Sequence, residues 1–149
     1  KVGAVVIEPT HWQSGAAASD NFINQLGSIA REHEAALIVD ETNTGCGASG
    51  KGFWQYQGDA ADYLAFGRRT QATGYFSAET SDQKLNLGGN LTDLLNLEVI
   101  CAEIQKKNLI DNVAHVSKSM QSGAARVNNA RVKSINVVGN QMWINTNSG

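Results

Sequence analysis

The feature that most constrains the fold is a run of five apolar residues, 35–39, that leads into Asp40 and Glu41 and then into a glycine-rich turn at 42–50. A continuous apolar run bounded by turn residues is typical of a buried strand in a parallel sheet. Open α/β sheets bind their ligands at the carboxyl ends of the strands. The pattern therefore predicts that Asp40 and Glu41 both lie at a ligand-binding edge.

The residues before this strand predict a βαβ unit. Residues 2–7 are mostly β-branched and indicate a first buried strand, which ends at Glu8 because the proline that follows cannot donate to the sheet. Ser19 or Asp20 can cap a helix that runs to about residue 34. A strand, a helix and a second strand at this spacing form a right-handed unit whose two strands are parallel.

The residues after the glycine-rich turn extend the same α/β pattern. Residues 63–66 predict a third strand that brings Arg68 and Arg69 to the same edge of the sheet. The later part of the chain predicts a tight return at 74–76, a surface loop at 77–90 and a hairpin of strands at 131–138 and 141–145. Between the loop and the hairpin it predicts two helices that meet at Asn108. The apolar face of the first helix consists of Leu94, Leu95, Val99 and Ile104, and that of the second consists of Ile110, Val113, Ala114 and Met120.

Composition excludes several kinds of partner and site. Twelve basic and 14 acidic residues give a net charge of -2, so no broad basic surface is available for nucleic acid. No apolar run approaches the roughly 20 residues of a spanning helix, and we expect no membrane insertion. Cys46 and Cys101 are 55 positions apart and are expected to be reduced thiols, and the three histidines share no spacing typical of metal ligands.

Several motifs resemble those of one enzyme family. The Asp-Glu pair is followed at 44–51 by Thr-Gly-x-Gly-x-x-Gly-Lys, and the segments at 5–9, 29–33 and 112–115 match in the same order. In these residues the chain resembles the class III aminotransferases, which use pyridoxal phosphate. The resemblance implies an α/β fold, the central part of the large domain of aspartate aminotransferase-like enzymes, over residues 1–126. It implies the first strands of a small domain over 127–149.

The resemblance assigns roles to four residues near the predicted edge. Asp40 matches the carboxylate that pairs with the pyridine nitrogen of the cofactor, and Glu8 matches a glutamate near the substrate carboxylate. Thr42 and Asn43 stand where the family has an apolar residue against the ring and a glutamine near the ring hydroxyl. The first two therefore keep the family's residue types, whereas the second two depart from them.

The main departure from the family is at Arg69, which occupies the position of the Schiff-base lysine. A guanidinium has a pKa above about 12 and cannot lose a proton to form that bond at ordinary pH. The family's phosphate-binding threonine should fall within 84–90, where this chain has no hydroxyl. We therefore interpret Asp40, Thr42, Asn43, Arg69 and Glu8 as a vestigial site. No cofactor is expected, and pyridoxal phosphate is possible only without a covalent bond.

Three functions fit these observations. The first is a non-catalytic structural or interaction subunit that binds other protein chains in a larger assembly, which the resemblance places in mitochondria. The alternative is a fragment of a pyridoxal-phosphate-dependent aminotransferase for ω-amino acids, completed by an aminotransferase-like partner fragment. A third is a non-covalent binder of a small anion or phosphorylated vitamin through Asp40 and Arg69.

Simpler roles also fit these side chains. Asp40 at a strand end is commonly a turn or cap residue, and Glu8 is expected to meet a nearby arginine. Arg68 and Arg69 can bind an oxyanion bidentately. The sequence favours instead that they pair with Asp59 or Asp62, which precede the third strand.

Overall fold

The computed structural model of the chain describes residues 1–77 and 90–147. Its elements follow the predicted order, with a four-stranded sheet in the first half and a two-stranded sheet at the end. They are β1 (Ala4–Ile7), α1 (Asp20–Glu32), β2 (Ala36–Asp40), β3 (Tyr63–Phe66), β4 (Gly74–Ser77), α2 (Leu91–Lys106), α3 (Leu109–Ala124), β5 (Val132–Val138) and β6 (Gln141–Thr146).

The first sheet has the strand order β1-β2-β3-β4. β1 and β3 both pair with β2 in parallel, which confirms the predicted βαβ unit and puts the carboxyl ends of three strands at one edge. The tight return predicted at 74–76 is a fourth strand that pairs antiparallel with β3. Most of the loop predicted at 77–90, including nearly all of the segment at 84–90, lies outside the described residues.

Helix α1 covers one face of this sheet. Ser19 caps the helix, because its Oγ accepts a hydrogen bond from the backbone N–H of Phe22 at 3.1 Å. Ile23 of the helix packs on Leu37 and Val39 of β2, and all three side chains are fully buried. Alternate residues of the strands point to the opposite face. That face carries Val6, which is 63% exposed.

The two helices after the undescribed segment form as predicted and pack on each other. The apolar face predicted for α2 is mostly exposed, since Leu94, Leu95 and Val99 are each more than half exposed. Ile104 alone of that set is buried, at the end of the helix close to its connection to α3. The pattern reports apolar character, whereas burial also requires an opposing element.

The predicted hairpin is confirmed, with Gly139 and Asn140 as its turn. Gly139 has a φ of +57°, and a Cβ built there would lie 1.8 Å from the carbonyl oxygen of Ala48. Only glycine therefore fits this approach of the hairpin to the glycine-rich turn. No helix in the described part of the chain is long and apolar enough to cross a membrane.

Candidate functional site at the carboxyl edge of the sheet

Asp40 is the last residue of β2 and is partly buried. Its Oδ1 accepts a hydrogen bond from the backbone N–H of Thr42 at 2.9 Å, which is the turn role that aspartate commonly has at a strand end. The other oxygen, Oδ2, accepts no hydrogen bond from residues 1–77 or 90–147. One side of this carboxylate thus fixes the turn, and the other is available as a hydrogen-bond acceptor.

Glu41 has a structural role instead. Its side chain is only 1% exposed, and its Oε1 accepts a hydrogen bond from the backbone N–H of Tyr56 at 2.7 Å. Its Oε2 accepts a second one from the hydroxyl of Thr44. The prediction that both carboxylates lie at the ligand edge is therefore wrong for Glu41. Consecutive side chains of a strand point to opposite faces, and this periodicity is the signal that separates the two.

Asn43 joins three parts of the edge. Its Oδ1 accepts a hydrogen bond from Arg68 Nη1 at 2.8 Å, and its backbone oxygen accepts one from Arg69 Nε at 2.6 Å. The amide of Gln141, the first residue of β6, donates to the same backbone oxygen at 3.4 Å. The structure therefore brings the predicted residues Asn43 and Arg69 together. The sequence pattern gave no indication of Gln141.

The hairpin borders this edge through polar contacts. The indole N–H of Trp143 donates to the backbone oxygen of Trp12 at 2.7 Å, and the side-chain amide of Asn136 donates to that of Ser14 at 2.8 Å. Both acceptors belong to the loop that follows β1. β5 and β6 therefore pack beside the carboxyl ends of the strands of the first sheet. The hydrophobic pattern of the hairpin does not predict this position.

The turn after β3 holds the two arginines. Arg68 has a φ of +40°, in the left-handed region that non-glycine residues rarely adopt. Thr70 is 1% exposed, and its hydroxyl lies 2.9 Å from the carbonyl oxygen of Gly67 and 2.5 Å from that of Ala72. These contacts fix the backbone from which both guanidinium groups extend.

The predicted pairing of these arginines with Asp59 or Asp62 is wrong. Asp62 instead accepts a hydrogen bond from the backbone N–H of Leu37 at 2.7 Å. Asp62 comes directly before β3 and the two arginines follow it, so the length of the strand separates them, and the carboxylate meets the amino-terminal part of β2 instead. In residues 1–77 and 90–147, the ion pairs join Lys1 to Glu34, Lys51 to Asp20 and Lys107 to Glu103.

Partial burial shifts the pKa values of Arg69 and of the neighbouring Cys46. Desolvation lowers the pKa of the Arg69 guanidinium from its ordinary value, a thiolate at Cys46 would raise it, and the neighbouring charge of Arg68 lowers it. Burial also raises the pKa of the Cys46 thiol to about 11, with a further contribution from Cys101. Cys46 is therefore protonated near neutral pH and supplies no negative charge to Arg69.

Glu8 lies at the same edge but outside this group of contacts. It follows β1, and its Oε2 accepts a hydrogen bond from the backbone N–H of Trp12 at 2.9 Å. No arginine within the described ranges pairs with it, so the expectation of a nearby arginine is wrong. In the turn after β1, this carboxylate is therefore a hydrogen-bond acceptor for the backbone.

Residues 1–77 and 90–147 also contain no group of histidine, cysteine, aspartate and glutamate side chains that could hold a metal ion.

Comparison with known proteins identifies the family. The family model described as aminotransferase class-III matches residues 1–148. The chain belongs to the class III aminotransferases. It is 34% identical over 134 residues to mitochondrial 4-aminobutyrate aminotransferase from Rattus norvegicus, and 31% identical over 133 residues to 4-aminobutyrate aminotransferase from Dictyostelium discoideum. Each alignment covers 82% of this chain, which spans 26% and 27% of those relatives.

Solved structures confirm the fold of this class III aminotransferase chain. Lysine aminotransferase from Mycobacterium tuberculosis matches with a TM-score of 0.76 and 28% identity, over 90% of this chain and 35% of that one. Ornithine aminotransferase from Toxoplasma gondii matches with a TM-score of 0.82 over 97% of this chain and 38% of that one. At 15% identity, this second likeness concerns the fold alone.

The family's cofactor, pyridoxal phosphate, is partly matched by the residues present. The open oxygen of Asp40 fits the N–H of a protonated pyridine ring, because a carboxylate accepts a charge-assisted hydrogen bond there. Arg69 does not fit covalent attachment, since its guanidinium is held by Asn43 and is not a primary amine. This class III aminotransferase chain thus has a carboxylate at Asp40 that fits the cofactor but an arginine, not a lysine, at position 69.

Proposed function

We propose that this chain is a segment of a pyridoxal-phosphate-dependent aminotransferase that acts on an ω-amino acid such as 4-aminobutyrate. The observation that carries the proposal is Asp40, whose carboxylate stands at the carboxyl end of β2 with one oxygen open. The likeness to 4-aminobutyrate aminotransferases at 31–34% identity supports the substrate class. It also supports a mitochondrial location, because the mammalian relatives are mitochondrial proteins.

In this proposal Asp40 keeps the ring nitrogen of the cofactor protonated. The cofactor, when bound, supplies an electron sink for the substrate carbon. Thr42 and Asn43 would contact the ring of the bound cofactor, and Glu8, which follows the neighbouring strand, would face the substrate. Thr42 also fixes Asp40, because its backbone N–H orients the carboxylate at 2.9 Å.

The proposal requires that other parts of the enzyme complete the active site. The chain spans about a quarter of the length of its curated relatives, so most of the family's fold lies outside it. Position 69 supplies no primary amine, and a partner fragment must therefore provide the lysine. Such a partner would also cover the open face of the sheet, where Val6 is 63% exposed.

A second candidate is a non-catalytic subunit of a larger mitochondrial assembly. Arg69 favours this candidate, because a permanent guanidinium at the lysine position removes the family's covalent chemistry without disturbing the strands. The exposed residues of α2, namely Leu94, Leu95 and Val99, would then contact another protein chain. In this case the fold serves packing and partner binding alone.

Turnover by the intact assembly distinguishes the two candidates. The protein is purified with its stoichiometric partners and assayed for amino-group transfer from 4-aminobutyrate to a 2-oxo acid. The proposal predicts activity that Asp40→Asn lowers about 100-fold or more, because the neutral amide no longer holds the ring nitrogen protonated. A complex that shows no transfer with any ω-amino acid contradicts the enzyme and supports the non-catalytic subunit.

A further inference from the structure

The turn after β3 presents two guanidinium groups that converge on one residue. Arg68 reaches the side chain of Asn43 at 2.8 Å, and Arg69 reaches its backbone oxygen at 2.6 Å. The two residues are adjacent in sequence, and Arg68 adopts a left-handed backbone with a φ of +40°. Such a strained and buttressed turn fixes the positions of both positive charges.

Arg69 keeps most of its donors unused. A guanidinium has five N–H groups in a planar fork, and within residues 1–77 and 90–147 only the Nε of Arg69 donates a hydrogen bond. Its two terminal nitrogens form the side of the fork that matches the two oxygens of a carboxylate or phosphate. The contact with Asn43 uses Nε alone, so neither terminal nitrogen donates a hydrogen bond to another described residue.

Arg69 also lacks a counter-ion within residues 1–77 and 90–147. Every ion pair in the described part of the chain involves a lysine, and none involves Arg68 or Arg69. Cys46, the nearby group that could become negative, stays neutral because burial raises its pKa to about 11. A partly buried cation without a partner is unfavourable, so an anion that occupies this position stabilises the folded protein.

We propose that Arg69, supported by Arg68 and fixed by Asn43, binds a small oxyanion, the carboxylate or phosphate group of a ligand. The site lies at the same edge as the proposed function but rests on the β3 turn rather than on Asp40. It requires neither a pyridine ring nor a covalent bond. A carboxylate substrate and a phosphorylated cofactor share the chemistry that this fork recognises.

Titration calorimetry tests the site on the intact protein with four probes. Inorganic phosphate and succinate carry only the oxyanion, pyridoxamine phosphate carries the oxyanion and a ring, and pyridoxamine carries the ring alone. We expect saturable binding of one or both simple oxyanions, with an affinity that falls as the salt concentration rises. Stronger binding of phosphate identifies a phosphate site, and stronger binding of succinate identifies a carboxylate site.

Matched variants locate the binding. Arg69→Met should lower the oxyanion affinity about 10- to 100-fold, because it removes a bidentate charged contact. Arg131→Met makes the same charge change at an exposed position next to the far end of β5 and should leave the affinity unchanged. If Arg69→Met fails to unfold cooperatively, Arg69→Lys replaces it, with a smaller expected loss because a lysine is a single point charge.

The outcomes separate this site from the proposed function. No saturable oxyanion binding, or equal binding by the Arg69 and Arg131 variants, overturns the oxyanion site. Pyridoxamine phosphate that binds no better than phosphate, with no effect of Asp40→Asn, counts against the cofactor role of Asp40. That result leaves the oxyanion site standing if Arg69→Met still weakens phosphate binding.

Discussion

The carboxyl ends of β2 and β3 are neighbours in the sheet, and the charged residues at the two ends differ in their contacts. β2 ends in two carboxylates, of which Glu41 is buried with two hydrogen bonds and Asp40 keeps one oxygen open. The turn after β3 carries two arginines that have no carboxylate partner in residues 1–77 and 90–147. At one edge of the sheet, the charged residues at the end of β2 thus fix their own turn, whereas those after β3 keep their charge without an ionic partner in the same described residues.

The difference shows that packing and chemistry can change separately in one sheet. β2 and β3 keep their parallel register at Asp40 and Ala65, and Glu41 donates its backbone N–H to Ala65 at 2.9 Å. Nothing in this pairing depends on which cation follows β3. The β2–β3 pairing is therefore independent of the side chain at position 69.

The largest expected effect separates the two carboxylates of β2. Glu41→Ala should lower the free energy of unfolding by about 3 kcal/mol or more, because it leaves the buried N–H of Tyr56 without an acceptor. Asp40→Ala should cost less than about 1 kcal/mol, since it loses one turn contact. Urea denaturation measures both. Equal losses would mean that Asp40 is as structural as Glu41.

The next effect concerns the hairpin beside the β2 turn. Gly139→Ala should destabilise the protein by about 2 kcal/mol or more, because its Cβ would lie 1.8 Å from the oxygen of Ala48 and its φ is +57°. Gly123→Ala is the control, since nothing lies within 4 Å of its added carbon. That change in α3 should be neutral or stabilising by up to about 1 kcal/mol. A tolerated Gly139→Ala would argue against the observed hairpin docking.

A smaller effect sharpens the contrast at β3. Arg69→Met should change the free energy of unfolding by less than about 1 kcal/mol, and toward higher stability, because it removes an unpaired and partly buried charge. Arg31→Met should instead cost about 1 kcal/mol, since Arg31 donates to the buried carbonyl of Ala60 at 2.9 Å. Thermal or urea unfolding compares them. A large loss at Arg69 would point to a structural partner for its guanidinium.

The smallest effect is a pH dependence that arises from Cys46. Its pKa is raised from 9.0 to about 11 in the folded chain, so the unfolded chain loses this proton first as the pH rises. Stability should therefore fall between about pH 9 and pH 11 and be unaffected by this group below that range. Cys46→Ser should remove this component, whereas Cys101→Ser should retain most of it. An identical alkaline slope in Cys46→Ser and the parent would contradict the raised pKa of this partly buried thiol.

Much of the fold could be predicted because strand and helix periodicity is local. Residues 63–66 are predicted and observed as the third strand, and the turn at Gly139 follows from glycine chemistry between two alternating runs. The exposed face of α2 could not be predicted, since Leu94 and Val99 have the same pattern whether or not an element opposes them. Burial depends on neighbours that the periodicity of one helix does not reveal.

The site was predictable only where the residues are adjacent in the chain. Asp40, Thr42 and Asn43 follow one strand, and the β2–β3 pairing brings Arg69 to Asn43 at 2.6 Å. The acceptor of each arginine was not predictable, because both acceptors belong to Asn43 in the turn after β2, whereas the expected partner Asp62 lies at the opposite end of β3. The approach of Gln141 depends on how the hairpin packs against the turn, which no local pattern contains.

The most direct test of the central claim is where pyridoxal phosphate becomes attached after reduction with borohydride. The purified protein, Arg69→Lys and the control Arg131→Lys are each treated, digested and mapped by mass spectrometry. We predict stoichiometric attachment at position 69 in Arg69→Lys, and only background labelling of the lysines of the parent and of the control. Stoichiometric attachment to one native lysine of this chain, or none at position 69 in Arg69→Lys, would contradict the account.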